Sequence, residues 1–80
     1  MAANLNLNGV NQITKGEFLY EQNQKVNSVS LILKGRVLVY HNGVNNLLGT
    51  GRFVGNRDIY QNNFMNNYIA YDKLVIYVFP

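Results

Sequence analysis

From Gln12 onward the chain is a series of short apolar runs, each broken within a few residues by Gly, Asn or a charged side chain. A helix needs apolar residues to recur every three or four positions over ten or more residues, and no segment sustains that period. The spacing is that of an all-β sandwich or barrel, short strands joined by tight corners. Asn supplies many of the corners. There are fourteen in the 80 residues, including Asn45-Asn46, Asn62-Asn63 and Asn66-Asn67, and Asn tolerates the left-handed backbone that most side chains avoid. The same abundance matches the drift of an AT-rich bacterial genome, an explanation with no physics in it.

The strands can be placed one at a time. Ile13 and Phe18 to Tyr20 flank a charged turn, Lys15-Gly16-Glu17. Ser28 to Leu33 alternates at first and then turns apolar on both faces, as a central sandwich strand does. Lys34-Gly35 breaks it, and Arg36 to Tyr40 follows. Asn42-Gly43 between two apolar runs is the strongest short-range signal for a two-residue type I′ hairpin, which makes Val44 to Leu48 the returning strand. Gly49-Thr50-Gly51-Arg52-Phe53-Val54-Gly55 reads as a backbone corner. Its Gly-x-Gly-x-x-x-Gly spacing, with no long helix after it, does not fit a dinucleotide fingerprint. Asn56 to Gln61 is expected to form one short helical turn, and Tyr68 to Tyr71 and Leu74 to Phe79 the last strands, with Asp72-Lys73 between them. Residues 1–11 are expected to be a flexible lead-in and 12–80 a single β domain.

Composition excludes several functions. Eighty residues supply one hydrophobic core and no second domain. Seven basic residues against four acidic ones give a net charge of +3. The basic positions Lys15, Lys25, Lys34, Arg36, Arg52, Arg57 and Lys73 do not cluster as a nucleic-acid stripe would, so nucleic acid is not an expected partner. The absence of Cys removes disulfides, thiolate metal sites and cysteine nucleophiles, and it favours the cytoplasm as the location. No apolar run approaches the 18 to 20 residues of a membrane span, and residues 1–10 lack the pattern of a signal peptide.

Catalytic chemistry has no visible carrier. The single His, His41, adjoins the Asn-Gly turn with no second metal ligand near it in sequence. The carboxylates Glu17, Glu21, Asp58 and Asp72 are scattered, and nothing beside Asp58 in the sequence reads as an acid–base partner. Ser28 and Ser30 lie on a strand with no arrangement suited to a nucleophile. The chain is expected not to be an enzyme and to carry no metal or cofactor.

Three glycine-centred segments in order, Lys15-Gly16-Glu17-Phe18-Leu19-Tyr20-Glu21-Gln22-Asn23, Ser30-Leu31-Ile32-Leu33-Lys34-Gly35-Arg36-Val37 and Leu48-Gly49-Thr50-Gly51-Arg52-Phe53-Val54-Gly55, resemble the cyclic nucleotide-binding domain family. That family includes the catabolite activator protein and the regulatory subunit of cyclic-AMP-dependent protein kinase. The resemblance runs from about Ile13 to Phe79, and Ala70 to Val78 resembles the family's closing strands. It implies a jelly-roll sandwich, a double-stranded β-helix of the cupin-like kind. It also implies a cassette after the third glycine segment, where a short helix turns its backbone N–H groups to the cyclic phosphate. In the family a Glu directly after the glycine accepts from the ribose 2′-OH, and a later Arg pairs with the phosphate through two charge-assisted hydrogen bonds.

Carried over position by position, the ligand-binding residues implied are Gly55, Asn56 and Arg57, with Phe64 and Tyr68 added from the aromatics Tyr60, Phe64, Tyr68 and Tyr71, which are expected either to pack the strands and anchor the loops or to fill the pocket or form a partner surface. Two departures matter. Asn56 stands where the Glu should be, and its amide oxygen accepts only as a neutral group. Counting back from Ala70, the expected Arg falls near Phe64, and no Arg follows Arg57. Losing a charge-assisted contact of about 1.5 to 3 kcal/mol weakens phosphate binding about ten- to a hundred-fold. Arg57 is the candidate substitute cation, with Arg52 less well placed. Family members usually continue past the last strand into helices that cover the ligand, so the expectation is either a fragment of a longer protein or a module without its lid, and the apolar run Val75 to Phe79 favours the fragment. The implied function is a non-catalytic regulatory or sensor module, with a small-molecule effector as partner and no tight hold on cyclic AMP or cyclic GMP. The alternative is a protein–protein interaction or homodimerisation module on the same jelly roll.

Overall fold

A computed structural model describes residues 2–80. The alternating segments pair into eight strands: β1 (Gly9–Ile13), β2 (Phe18–Tyr20), β3 (Val29–Lys34), β4 (Val37–His41), β5 (Val44–Leu48), β6 (Phe53–Val54), β7 (Asn67–Ala70) and β8 (Leu74–Phe79), with a 3-10 helix at Asn56–Gln61 between β6 and β7. Two four-stranded antiparallel sheets face each other, in the orders β1-β8-β3-β6 and β2-β7-β4-β5. Only the β4–β5 pair is joined by a hairpin; every other pairing closes a longer loop, which is the jelly-roll winding.

The core forms where the inward positions of both sheets meet. Ile13, Ile32, Val54, Leu74, Ile76 and Val78 point in from one sheet, and Leu19, Tyr20, Val37, Tyr68 and Ala70 from the other, all buried. Tyr20 carries a hydroxyl into this interior, and Ser28 and Ser30 meet it with their Oγ atoms at 2.9 and 2.6 Å. The two serines are thus occupied in satisfying a buried phenol, since an unpaired buried hydroxyl is costly.

The corners follow the local chemistry. Asn42 and Gly43 both have positive φ, 49° and 79°, and His41 pairs with Val44 across them. That is the two-residue type I′ turn the Asn-Gly pair specifies. Gly35 has φ +92°, and a Cβ there would lie 2.4 Å from the Lys73 carbonyl oxygen. Next to it the Asp72 carboxylate accepts from the Arg36 backbone N–H at 2.7 Å and from its Nε at 2.9 Å. The Arg36 guanidinium also lies over the Tyr71 ring, 4.8 Å from its centre. These hydrogen bonds from Arg36, backbone first and side chain second, hold the Asp72 carboxyl below the ordinary aspartate value.

Two expectations change. The lead-in drawn over residues 1–11 is too long, because Gly9, Val10 and Asn11 pair with Val78, Tyr77 and Ile76 as part of β1. The residues before it are also tied down. Ala2 bridges to Phe18, and the Ala3 N–H donates to the Phe18 carbonyl at 2.7 Å. The buried Asn11 side chain accepts from the Asn6 N–H and donates to the Asn6 and Gly9 carbonyls, closing the loop between them. Met1 lies outside the described residues. The second change is at Phe53–Val54, which reads as part of a glycine corner yet adds a short strand to the edge of β3.

Candidate functional site

The glycine corner before the 3-10 helix opens onto a groove of about 560 Å³. One wall is the inner face of β4, β5 and β7, contributing Val39, Asn46, Leu48 and Tyr68; the other runs from Gly51 through Asp58. Its volume lies within the range of small-molecule sites. Asn56, Arg57 and Arg52 are exposed at this wall, whereas Asp58 is buried.

Gly55 is what allows the wall to turn. It has φ +87°, and a Cβ would come within 2.7 Å of Phe64 Cε1. Both the backbone and the space beneath it demand Gly. The 3-10 helix that starts there runs only from Asn56 to Gln61, and the Asp58 N–H donates to the Gly55 carbonyl at 3.0 Å. That N–H is therefore spent inside the turn. So short a helix also carries little of the dipole that favours anions.

At the inner end of the groove a hydrogen-bonded chain forms. The Asn66 amide donates to the Tyr68 hydroxyl at 3.3 Å, and that hydroxyl donates to Asp58 Oδ2 at 2.5 Å. The other oxygen, Oδ1, has a long contact of 3.4 Å from the Met65 N–H. Burial is the main cause that raises the Tyr68 phenol well above the ordinary tyrosine value; the Asn66 hydrogen bond pulls it down and the Asp58 carboxylate raises it again. The site therefore holds a neutral phenol against a carboxylate. The hydrogen-bond partner of Asp58 is thus ten residues away, on β7.

The structure brings Gly55, Asn56, Arg57 and Tyr68 to one groove and leaves Phe64 out of it. Phe64 is fully buried, stacked on Tyr20 with ring centres 4.1 Å apart and edge-on to Tyr68 at 5.9 Å. It packs from below against the Gly55 backbone, so it is part of the core and shapes the groove without facing it. Tyr60 points the other way, 88% exposed, and Tyr71 lies under Arg36 at the opposite corner. Asp58 and Asn66, which the sequence reading did not name as site residues, are both in the wall. The signal that would find Asp58 is a carboxylate three residues after the corner glycine, inside a turn too short to expose it.

Among the described residues no group of three or more His, Asp or Glu is placed to hold a metal ion, and no helix is long and apolar enough to cross a membrane.

The sequence matches no protein-family model and no curated protein. Solved structures do match. The regulatory subunit of a cAMP-independent protein kinase A from Trypanosoma brucei superposes with a TM-score of 0.83 at 17% identity, over 89% of this chain and 27% of that one. The EAL enzyme Bd1971 in its cAMP-bound form gives 0.77 at 21% identity, over 88% of this chain and 21% of that one. The regulatory subunit of a cAMP-independent protein kinase A from Trypanosoma cruzi, bound to guanosine, gives 0.77 at 14% identity, over 89% and 28%. The chain thus spans about a fifth to just over a quarter of the length of these proteins. At such identities the likeness is one of fold, and the fold is that of cyclic nucleotide-binding domains.

Proposed function

We propose that the chain is a non-catalytic regulatory module of the cyclic nucleotide-binding type whose groove has lost its hold on a cyclic phosphate and accepts a different small ligand. One observation carries this reading. The resemblance expects the phosphate-pairing Arg near Phe64, where no Arg stands, and Phe64 itself is buried in a ring stack beneath Gly55. A guanidinium cannot be replaced there by a phenyl ring without losing both charge-assisted hydrogen bonds. Two further features support it: the Asp58 N–H is engaged within its own turn, and a carboxylate stands in the wall. The guanosine held by the similar trypanosomal protein supports the idea that this fold can serve a ligand without a cyclic phosphate.

Calorimetric titration with cyclic AMP and cyclic GMP tests the proposal. The expected dissociation constants are weaker than about 100 μM, and binding at about 1 μM or tighter overturns the reading.

A second reading, self-association, is favoured by the outer face of the β1-β8-β3-β6 sheet. A solvated antiparallel sheet normally alternates apolar inside with polar outside. Here Val10, Tyr77, Leu31 and Phe53 form one uncharged outward row across all four strands. Phe79 extends it, its ring 4.8 Å from Tyr77 and 6.3 Å from Phe53. Two copies meeting on this face would bury that row. Sedimentation at about 100 μM protein decides it: a dimer that Tyr77→Glu dissociates supports the reading, and a monomer throughout ends it.

A further inference from the structure

The proposed function counts the Asp58 carboxylate only against a cyclic phosphate; paired with Tyr68 in the groove wall, it also bears on what can bind there. We infer that the Asp58 carboxylate sets the ligand class, selecting a neutral, hydrogen-bond-donating molecule of nucleoside size and rejecting its phosphorylated counterpart. This assignment rests on the proposal that the groove is a small-molecule site.

Charge and burial set this selectivity. Asp58 is 3% exposed and lines the groove. A negative group shielded from water acts on its surroundings through a lower effective dielectric than an exposed one. The cations that would offset it, Arg52 and Arg57, are on the exposed wall, where solvent and salt screen them. A phosphodiester brought beside the corner glycine therefore has a shielded carboxylate in the same wall, while the cations lining that groove are exposed and screened.

Hydrogen-bonding capacity points the same way. A carboxylate only accepts, and its two oxygens offer about four lone-pair sites. Oδ2 is engaged by the Tyr68 hydroxyl, while Oδ1 has only the long 3.4 Å contact from the Met65 N–H. Oδ1 therefore has capacity for an O–H or N–H from a ligand. The amides of Asn46, Asn56 and Asn66 offer both donors and acceptors along the same walls. Such a lining suits a hydroxylated, nitrogen-containing molecule without net charge.

Amide-shift titrations by NMR with adenosine, guanosine and the matching cyclic monophosphates test the assignment. In the wild-type chain the nucleosides should bind at least about tenfold more tightly than the cyclic nucleotides, with shifts at Asp58, Asn66 and Tyr68. Asp58→Asn keeps the shape and an oxygen for the Tyr68 hydroxyl but removes the charge, and it should shrink that preference at least about fivefold by strengthening the cyclic nucleotide. Arg57→Ala, which keeps the carboxylate and removes an exposed cation, should preserve or widen it. The wild-type ratio needs no variant to fold. Equal affinities, no nucleoside binding, or an unchanged ratio in a folded Asp58→Asn chain each overturn the assignment. Tight cyclic nucleotide binding by the wild type would instead sink the functional reading beneath it.

Discussion

Gly35 and Gly55 occupy equivalent-looking corners, with φ near +90° and no space for a Cβ, yet they are closed by different things. Behind Gly35 stands backbone, the Lys73 carbonyl, with the Arg36–Asp72 pair bracing it from outside. Behind Gly55 stands a side chain, Phe64, and beyond the corner the wall opens onto the groove. Backbone cannot be repacked and a ring can. The first corner is thus fixed scaffold, while the second is a place where sequence change can remodel a site without breaking the fold.

Removing the ring should have the largest effect. Phe64→Ala empties the space beneath Gly55 and unstacks Tyr20, and it should cost about 3 to 5 kcal/mol of stability by denaturant unfolding. A cost under 1 kcal/mol would mean that Phe64 does not support the corner.

The comparison itself is broken or kept by a pair of glycine substitutions. Gly35→Ala should lose about 3 kcal/mol and Gly55→Ala about 2, from positive-φ strain plus the close contact. A smaller ring substitute, Phe64→Leu, should make Gly55→Ala less harmful than in the wild type, a favourable coupling measurable in a double-mutant cycle. Lys73→Ala should give Gly35→Ala no such relief, because the obstructing atom is a backbone oxygen.

Alkaline titration separates the regions next. The Tyr68 and Tyr20 phenols are both raised, chiefly by burial. Their neutral forms are favoured by folding, so this stabilisation is complete below the ordinary tyrosine value near 10 and is lost as pH rises towards the folded values. Unfolding midpoints should fall above about pH 10, and Tyr68→Phe should flatten that limb.

The smallest effect is expected at the Gly35 corner in acid. Asp72 is held below its ordinary value, so its contribution is present above about pH 4 and fades as pH falls through the lowered folded value. Asp72→Asn should flatten the acid limb only slightly, since the pair with Arg36 is exposed. A large change would make this corner more dependent on the ion pair than on its backbone contact.

What the sequence made legible were the places where local chemistry decides. Asn42-Gly43 and Lys34-Gly35 mark turns because positive φ restricts the residue choice, and Asn56 to Gln61 reads as a turn and forms one. The order of the glycine segments was enough to indicate the jelly roll, and the pairing of the two sheets agrees. Gly9 to Asn11 reads as lead-in because a strand with one buried Asn and one exposed Val has no apolar signature; its partner β8 is distant in sequence. Phe53–Val54 was hidden for the same reason. The aromatic cluster around the cassette reads both as packing and as pocket lining, and which of its rings turns inward depends on Tyr20 across the core. The Asp58–Tyr68 contact joins a turn to a strand, and no local spacing encodes it.

The central claim is that this fold keeps the cassette corner without a working phosphate site. It is tested most directly by following the amide signals of Gly55, Asn56 and Arg57 while cyclic AMP and cyclic GMP are added to several millimolar. The account predicts no saturation at these three residues below about 100 μM ligand. Saturation at low micromolar ligand, abolished by Arg57→Ala, would contradict it and show that Arg57 has taken over the role of the missing arginine.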